Sequence, residues 1–200
     1  MKLKEIKIAL SQLKSFECPK IKLEQYITPS ELSATMIHTI STVYDDITDK
    51  KILDLCGGTG MLGINAMFYD PESVTNLDID KDALDICREN CKLMDCNIEL
   101  IETDFRKYQF EGVIFDVCLL NPPFGMQKKG IDIEAIEFAL KYCKTVYVLH
   151  SNKTRDFYMK KFKNIEIIAE MKYDLPSTYK FHKKKNVTID VDLYRILSEQ

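Results

Sequence analysis

From Lys51 onward the chain alternates short β-type apolar runs with stretches of helical periodicity, and that alternation leaves few folds open. Ile52-Leu53-Asp54-Leu55, Val74 to Ile79, Ile98 to Ile101, Val113 to Leu120 and Val146 to Leu149 read as strands. Met61 to Phe68, Asp82 to Met94, Ile131 to Tyr142 and Asn152 to Phe162 read as helices. Strands joined through helices call for a mostly parallel sheet covered on both faces. After Phe162 the rhythm changes: Ile165 to Met171 and Val187 to Leu197 have no helix between them, which predicts an antiparallel hairpin at one edge of a seven-stranded α/β sheet. Upstream, Leu3, Ile6, Ala9, Leu10 and Leu13 mark an amphipathic helix over residues 2–14. Thr28-Pro29-Ser30-Glu31 opens another through Tyr44, with Thr28 as N-cap and Pro29 as first helical residue. The expected organisation is one domain over 1–200, residues 1–45 forming a helical cover and 51–200 the core.

Apolar residues at 46% and charged residues at 30%, with 7 Gly and 6 Pro, exclude a low-complexity chain. A formal charge of -3 argues against a general polyelectrolyte binder, so any nucleic-acid contact must come from local basic patches. Seven cysteines and a Lys-studded start without an apolar core point to reduced, intracellular thiols. Cys87, Cys91 and Cys96 have no His near them, and His38, His150 and His182 are scattered, so no metal site is expected.

Two motifs carry chemistry. Asp54-Leu55-Cys56-Gly57-Gly58-Thr59-Gly60 lies between the first strand and its helix, where Gly58 and Gly60 let a ligand approach the backbone. The leading acid suits a cationic amino-acid moiety better than a pyrophosphate. Asp78, closing the second strand, can accept from ribose hydroxyls; Asp104 can accept from an adenine amine while Phe105 packs beside the ring. Together these describe S-adenosylmethionine. The second motif is Asn121-Pro122-Pro123-Phe124, where two prolines end the apolar run that precedes them. An amide with both donors and an acceptor, fixed carbonyls and an aromatic ring suit a planar base bearing an exocyclic amine.

Leu23-Glu24-Gln25-Tyr26, Tyr44-Asp45-Asp46-Ile47, the glycine turn, Asn121-Pro122-Pro123-Phe124-Gly125, Tyr173-Asp174-Leu175-Pro176 and Tyr179-Lys180-Phe181-His182-Lys183-Lys184-Lys185 run over nearly the whole length. In them the chain resembles the eukaryotic methyltransferase-like protein 5 family, which makes N6-methyladenosine in small-subunit (18S) ribosomal RNA. The resemblance implies a Rossmann-like class I methyltransferase fold, S-adenosylmethionine as cofactor, a small zinc-binding activator subunit as partner, and a place in nucleus and cytoplasm. It puts Gln25, Thr28, Cys56, Thr59, Met61, Asp78, Asp104 and Phe105 at cofactor-contacting positions. Cys56 departs from the family, which has Gly there, so a contact made by bare backbone is shifted or crowded.

The expected chemistry has the Asn121 side-chain oxygen and the Pro122 carbonyl accept from the adenine amine while Phe124 stacks on the base. No catalytic base is evident, and the proton goes to solvent. Lys180, His182, Lys183, Lys184 and Lys185, interleaved with Tyr179 and Phe181, form the one dense cationic run and are the expected RNA contact. A sheet edge near Val74 to Ile79 is expected to need cover by a partner. The competing readings are a glutamine N5-methyltransferase acting on a release factor, a catalytically silent scaffold, and, less well matched, a nicotinamide oxidoreductase.

Overall fold

The computed structural model describes residues 1–112, 114–176 and 186–199. Its strands are β1 (Lys51–Leu55), β2 (Ser73–Asp78), β3 (Glu99–Glu102), β4 (Phe115–Leu120), β5 (Cys143–Ser151), β6 (Ile165–Pro176) and β7 (Asn186–Leu197). They form one seven-stranded sheet in the order β3-β2-β1-β4-β5-β7-β6. The pairs from β3 through β5 are parallel, whereas β7 runs antiparallel to both β5 and β6. The sheet has the Rossmann-like form that the resemblance implies, with the antiparallel hairpin where the missing helix predicts it.

Helices α1 (Leu3–Leu10), α2 (Ser30–Tyr44), α3 (Met61–Ala66), α4 (Lys81–Leu93), α5 (Ile131–Tyr142) and α6 (Arg155–Lys161) cover the two faces. The central strands explain why. In β4, Val117 and Leu119 join a core with Ile6, Ile37, Ile40, Leu62 and Ile64, while Cys118 and Leu120 join another with Ile136, Ala139 and Tyr158. Alternate side chains on a pleated strand point to opposite faces, so a strand buried on both sides must be apolar throughout.

Several boundaries differ from the sequence reading. α1 stops at Leu10, and the next amides turn back with three-residue bonds, Gln12 to Ala9 and Leu13 to Leu10, which still leave Leu13 buried. α2 starts at Ser30, with Pro29 at the N-cap and no side-chain cap; Thr28 does not cap it, because its hydroxyl accepts from Asn121 instead. Residues 67–69 and 152–154 form 3-10 turns that extend α3 and precede α6. β2 is interior, paired to β1 and β3, so the open edge at that end is β3. Val113, placed in a strand by the sequence reading, lies outside the described residues.

Candidate active site

The sheet order reverses between β1 and β4: the connections from β1 lead outward to β2 and β3, and those from β4 lead the other way. In open α/β sheets such a switch point opens a crevice beyond the strands' carboxyl ends. The register pairs Leu55 with both Leu77 and Leu120, so Cys56, Asp78 and Asn121 leave the sheet side by side.

The turn after β1 is wound tightly. Cys56 has φ 55° and its N–H donates to Leu77 O at 2.9 Å; Gly60 has φ 88° and donates to Gly57 O at 2.9 Å. A Cβ on Gly60 would stand 2.5 Å from Cys87 Sγ, so only glycine fits there. Asp54 is buried below the turn. Its Oδ2 accepts the Gly63 N–H at 2.7 Å, and its Oδ1 has no hydrogen-bond partner among the described residues. Burial pushes this carboxyl up to about 7, with the Gly63 bond pulling down and Asp78 adding to the rise. Asp78 accepts from Gly58 N at 2.9 Å and Asp80 N at 2.8 Å, and burial raises it too. Asp104 is held by Arg106, whose Nε and Nη2 reach it at 2.7 and 2.6 Å and keep it below the usual carboxylate range. Burial, reinforced by Asp78, Asp54 and Asp104, holds the Cys56 thiol well above its ordinary value, hence protonated.

The segment between α1 and α2 closes the crevice as a strap. Gln25 Nε2 and Lys20 Nζ both donate to Asp80, and Lys20 reaches Asp82 at 2.8 Å. The Phe16 ring covers Gly58 so closely that a Cβ there would be 2.9 Å from Cζ. Beneath the strap is a cleft of about 160 Å³ lined by Phe16, Gln25, Tyr26, Cys56, Gly58, Asp78, Asp104, Phe105, Asn121 and Pro123. A smaller recess of about 40 Å³ adjoins it, bordered by Thr28, Asp54, Thr59 and Met61.

A third cavity, of about 510 Å³ and mostly apolar, lies beyond Asn121 and is lined by Pro122, Phe124, Met126, His150 and Tyr173. Asn121 borders all three spaces. Its Nδ2 donates to Thr28 Oγ1 at 2.8 Å, leaving Oδ1 as an acceptor. Tyr173, whose hydroxyl donates to Ile27 O at 3.1 Å, is raised by burial and drawn partly back by the Asn121 amide. Behind Phe124, at 4.5 Å between ring centres, sits buried His150. His150 Nδ1 lies 2.8 Å from Thr154 Oγ1, which is itself 2.8 Å from Ser151 O. Its Nε2 faces Asp132 at 3.5 Å, and burial lowers its pKa.

The structure thus brings every sequence-predicted cofactor residue but one to the walls of the cleft or recess. The exception is Gly60, which shapes the turn from behind against Cys87. Pro123 faces the cleft, whereas Pro122 and Phe124 face the large cavity. Sequence reasoning missed Phe16, Lys20, Met126 and His150, which belong to no motif. Lys180, His182, Lys183, Lys184 and Lys185 lie outside the described residues. Among the described residues, no group of three or more His, Cys, Asp or Glu side chains could hold a metal, and no helix is long and apolar enough to cross a membrane.

Comparison with known proteins places this geometry. Residues 30–182 match a family model described as conserved hypothetical protein 95. The rRNA N(6)-adenosine-methyltransferase METTL5 of Danio rerio is 42% identical over 203 residues, covering 98% of each chain. Its Caenorhabditis elegans counterpart metl-5, also described as an rRNA N(6)-adenosine-methyltransferase, is 39% identical over 92% of each. A crystal structure of a candidate RNA methyltransferase from Pyrococcus horikoshii superposes with a TM-score of 0.86 at 30% identity, over 99% of this chain and 98% of that one. At 39–42% identity to such enzymes over nearly the full length, the chain belongs to the METTL5 family of rRNA N(6)-adenosine-methyltransferases.

Proposed function

We propose that this chain transfers a methyl group from S-adenosylmethionine to N6 of an adenosine in small-subunit (18S) ribosomal RNA. The observation that carries the reading is the position of Asn121, a wall common to the strap-covered cleft and to a large apolar cavity. Reacting atoms brought in from two sides meet at this amide.

The cleft fits the cofactor chemically. Asp54 keeps a buried Oδ1 beside the recess with no partner among the described residues, an arrangement costly unless a cation or donor comes to it. Asp78 spends one bond on each oxygen and retains lone pairs for ribose hydroxyls. Phe105 offers an apolar wall, and Asp104, with Arg106 clamped to it, an acceptor for the adenine amine. Gln25 and Thr28 close the site from the strap side, and Cys56, Gly58, Thr59 and Met61 form its floor. S-adenosylmethionine, when bound, supplies an electrophilic methyl on a sulfonium.

Everything else is positioning. Because Asn121 Nδ2 is engaged by Thr28, Oδ1 is the group left to accept from the target amine, with the Pro122 carbonyl as second acceptor. Two acceptors on one amine rotate its lone pair out of conjugation and aim it at the cleft; orientation of this kind removes much of the barrier to a bimolecular displacement. Phe124, backed by His150, is the stacking platform. The base enters from an unpaired stretch or leaves its stack to reach the cavity. His150 Nε2 faces Asp132, away from any role as base, so the proton leaves to solvent. A partner, which we assign to a small zinc-binding activator subunit, would cover the open edge of β3. The glutamine reading is not favoured, because the near full-length relatives reported above act on adenosine.

The test is Asn121→Ala with labelled S-adenosylmethionine and total RNA, followed by nucleoside analysis. We expect cofactor affinity within about threefold of wild type and methyl transfer reduced by roughly 10²-fold or more, as for loss of an oriented polar group at a reacting centre. Undiminished N6-methyladenosine would remove Asn121 from the mechanism.

A further inference from the structure

Beside the mouth of the large cavity the surface carries a cation, an exposed aromatic ring and another cation in sequence. Lys153 lies on the cavity rim itself. Four residues on, in α6, Phe157 is 55% exposed, and three further on is exposed Lys160. Phe157 and Lys160, three apart in α6, share a face of that helix, and Lys153 stands in the 3-10 turn just before it.

Phe157 does not serve the core. Its neighbour Tyr158 does that, fully buried with its hydroxyl donating to Asp132 at 2.6 Å. The two lysines also differ from the other cations of this segment. Arg155 is tied to Asp192 and Glu170, and Lys161 to Glu137, whereas among the described residues Lys153 and Lys160 form no ion pair. Met126, which also lines the cavity, is 78% exposed, so the opening carries apolar surface as well as Lys153.

We propose that the RNA strand flanking the target adenosine runs out of the cavity along α6, with phosphates against Lys153 and Lys160 and one base stacked on Phe157. This rests on the reading of the chain as an RNA methyltransferase and adds a surface to it. Two cations with an aromatic face between them match the alternation of phosphate and base in a single strand. Continuity with the cavity supplies the direction: a strand whose target base is inserted beside Phe124 must leave across the rim, and Lys153 is on that rim. An acidic peptide would use the cations but leave the ring bare.

The experiment measures binding of the full chain to a synthetic single-stranded RNA of about a dozen nucleotides containing one adenosine, across a range of salt. Calorimetry with S-adenosylhomocysteine serves as a check of folding. Phe157→Ala should weaken RNA binding at least fivefold, and Phe157→Trp should restore it, as stacking of one base implies. The double change Lys153→Gln and Lys160→Gln should reduce the slope of log affinity against log salt by about 1.4, the value for two lost phosphate contacts on a single strand. Lys92→Gln should change nothing, since α4 packs over β2 and β3 at the opposite end of the sheet. Cofactor-product affinity should be that of wild type throughout. Wild-type RNA affinity and salt slope in both the Phe157 and the lysine variants would overturn the path while leaving the methyltransferase reading intact. A wild-type chain that neither binds nor methylates RNA would overturn that reading and the path with it.

Discussion

Asp54 behaves unlike an ordinary carboxylate of the surface. Burial raises its carboxyl to about 7, because a charge in that recess has only the Gly63 N–H to face. In the ligand-free protein, ionisation of Asp54 is therefore a penalty that is absent below the usual carboxylate value and grows as pH rises toward about 7. A cationic ligand reverses the sign, since it needs the ionised form. Affinity for S-adenosylmethionine should rise with pH by up to about tenfold per unit below 7 and level off above it. Asp54→Asn should flatten that dependence; calorimetric titration at several pH values reads both. Cys56 poses a smaller question. At φ 55° it holds a left-handed conformation that costs a side chain about 1 kcal/mol, a cost glycine escapes while losing a similar amount through its freer unfolded chain. Cys56→Gly should thus leave the melting temperature nearly unchanged and cofactor affinity equal or better. A tenfold loss in affinity would show that the thiol contributes a contact of its own.

The turn between β1 and α3 could be placed from sequence, because glycines at fixed spacing after a buried strand have few uses. What the sequence withheld was which glycine meets the ligand. Gly58 faces the cleft, while Gly60, with φ 88° and Cys87 Sγ behind it, serves the fold. Gly60→Ala should destabilise the chain by about 2–4 kcal/mol, the sum of a left-handed penalty and overpacking, as seen by thermal or denaturant unfolding. The strap was legible only in part. Gln25, Tyr26 and Thr28 belong to a recognisable block, but Phe16 and Lys20 are an ordinary aromatic and an ordinary lysine until the fold sets them against Gly58 and Asp80. Thr28 shows why local rules fail at a site: as a hydroxyl before Pro-Ser-Glu it reads as a helix cap, yet a partner 93 residues away takes its oxygen.

Across the whole molecule, the sheet could be read from sequence because each strand's apolar pattern reports how many of its faces are buried. The order of strands could not be read that way, so β2 was expected at an edge that β3 occupies. Likewise His150 carries no motif; its place behind Phe124 follows from β5 lying beside β4, a tertiary fact.

Among the described residues the cleft and the large cavity share Glu24, Tyr26 and Asn121, and two of these, Glu24 and Tyr26, belong to the strap. Glu24 Oε1 also accepts the Gln127 N–H at 2.7 Å, next to Met126 on the cavity wall. One segment is thus a lid for the first chamber and a side wall for the second. Whatever seats the strap on the cofactor also shapes the entrance for the base. Steady-state kinetics should then show an apparent RNA affinity that changes with saturation by S-adenosylmethionine or S-adenosylhomocysteine. An RNA affinity independent of either would mean that the strap holds still whichever ligand binds.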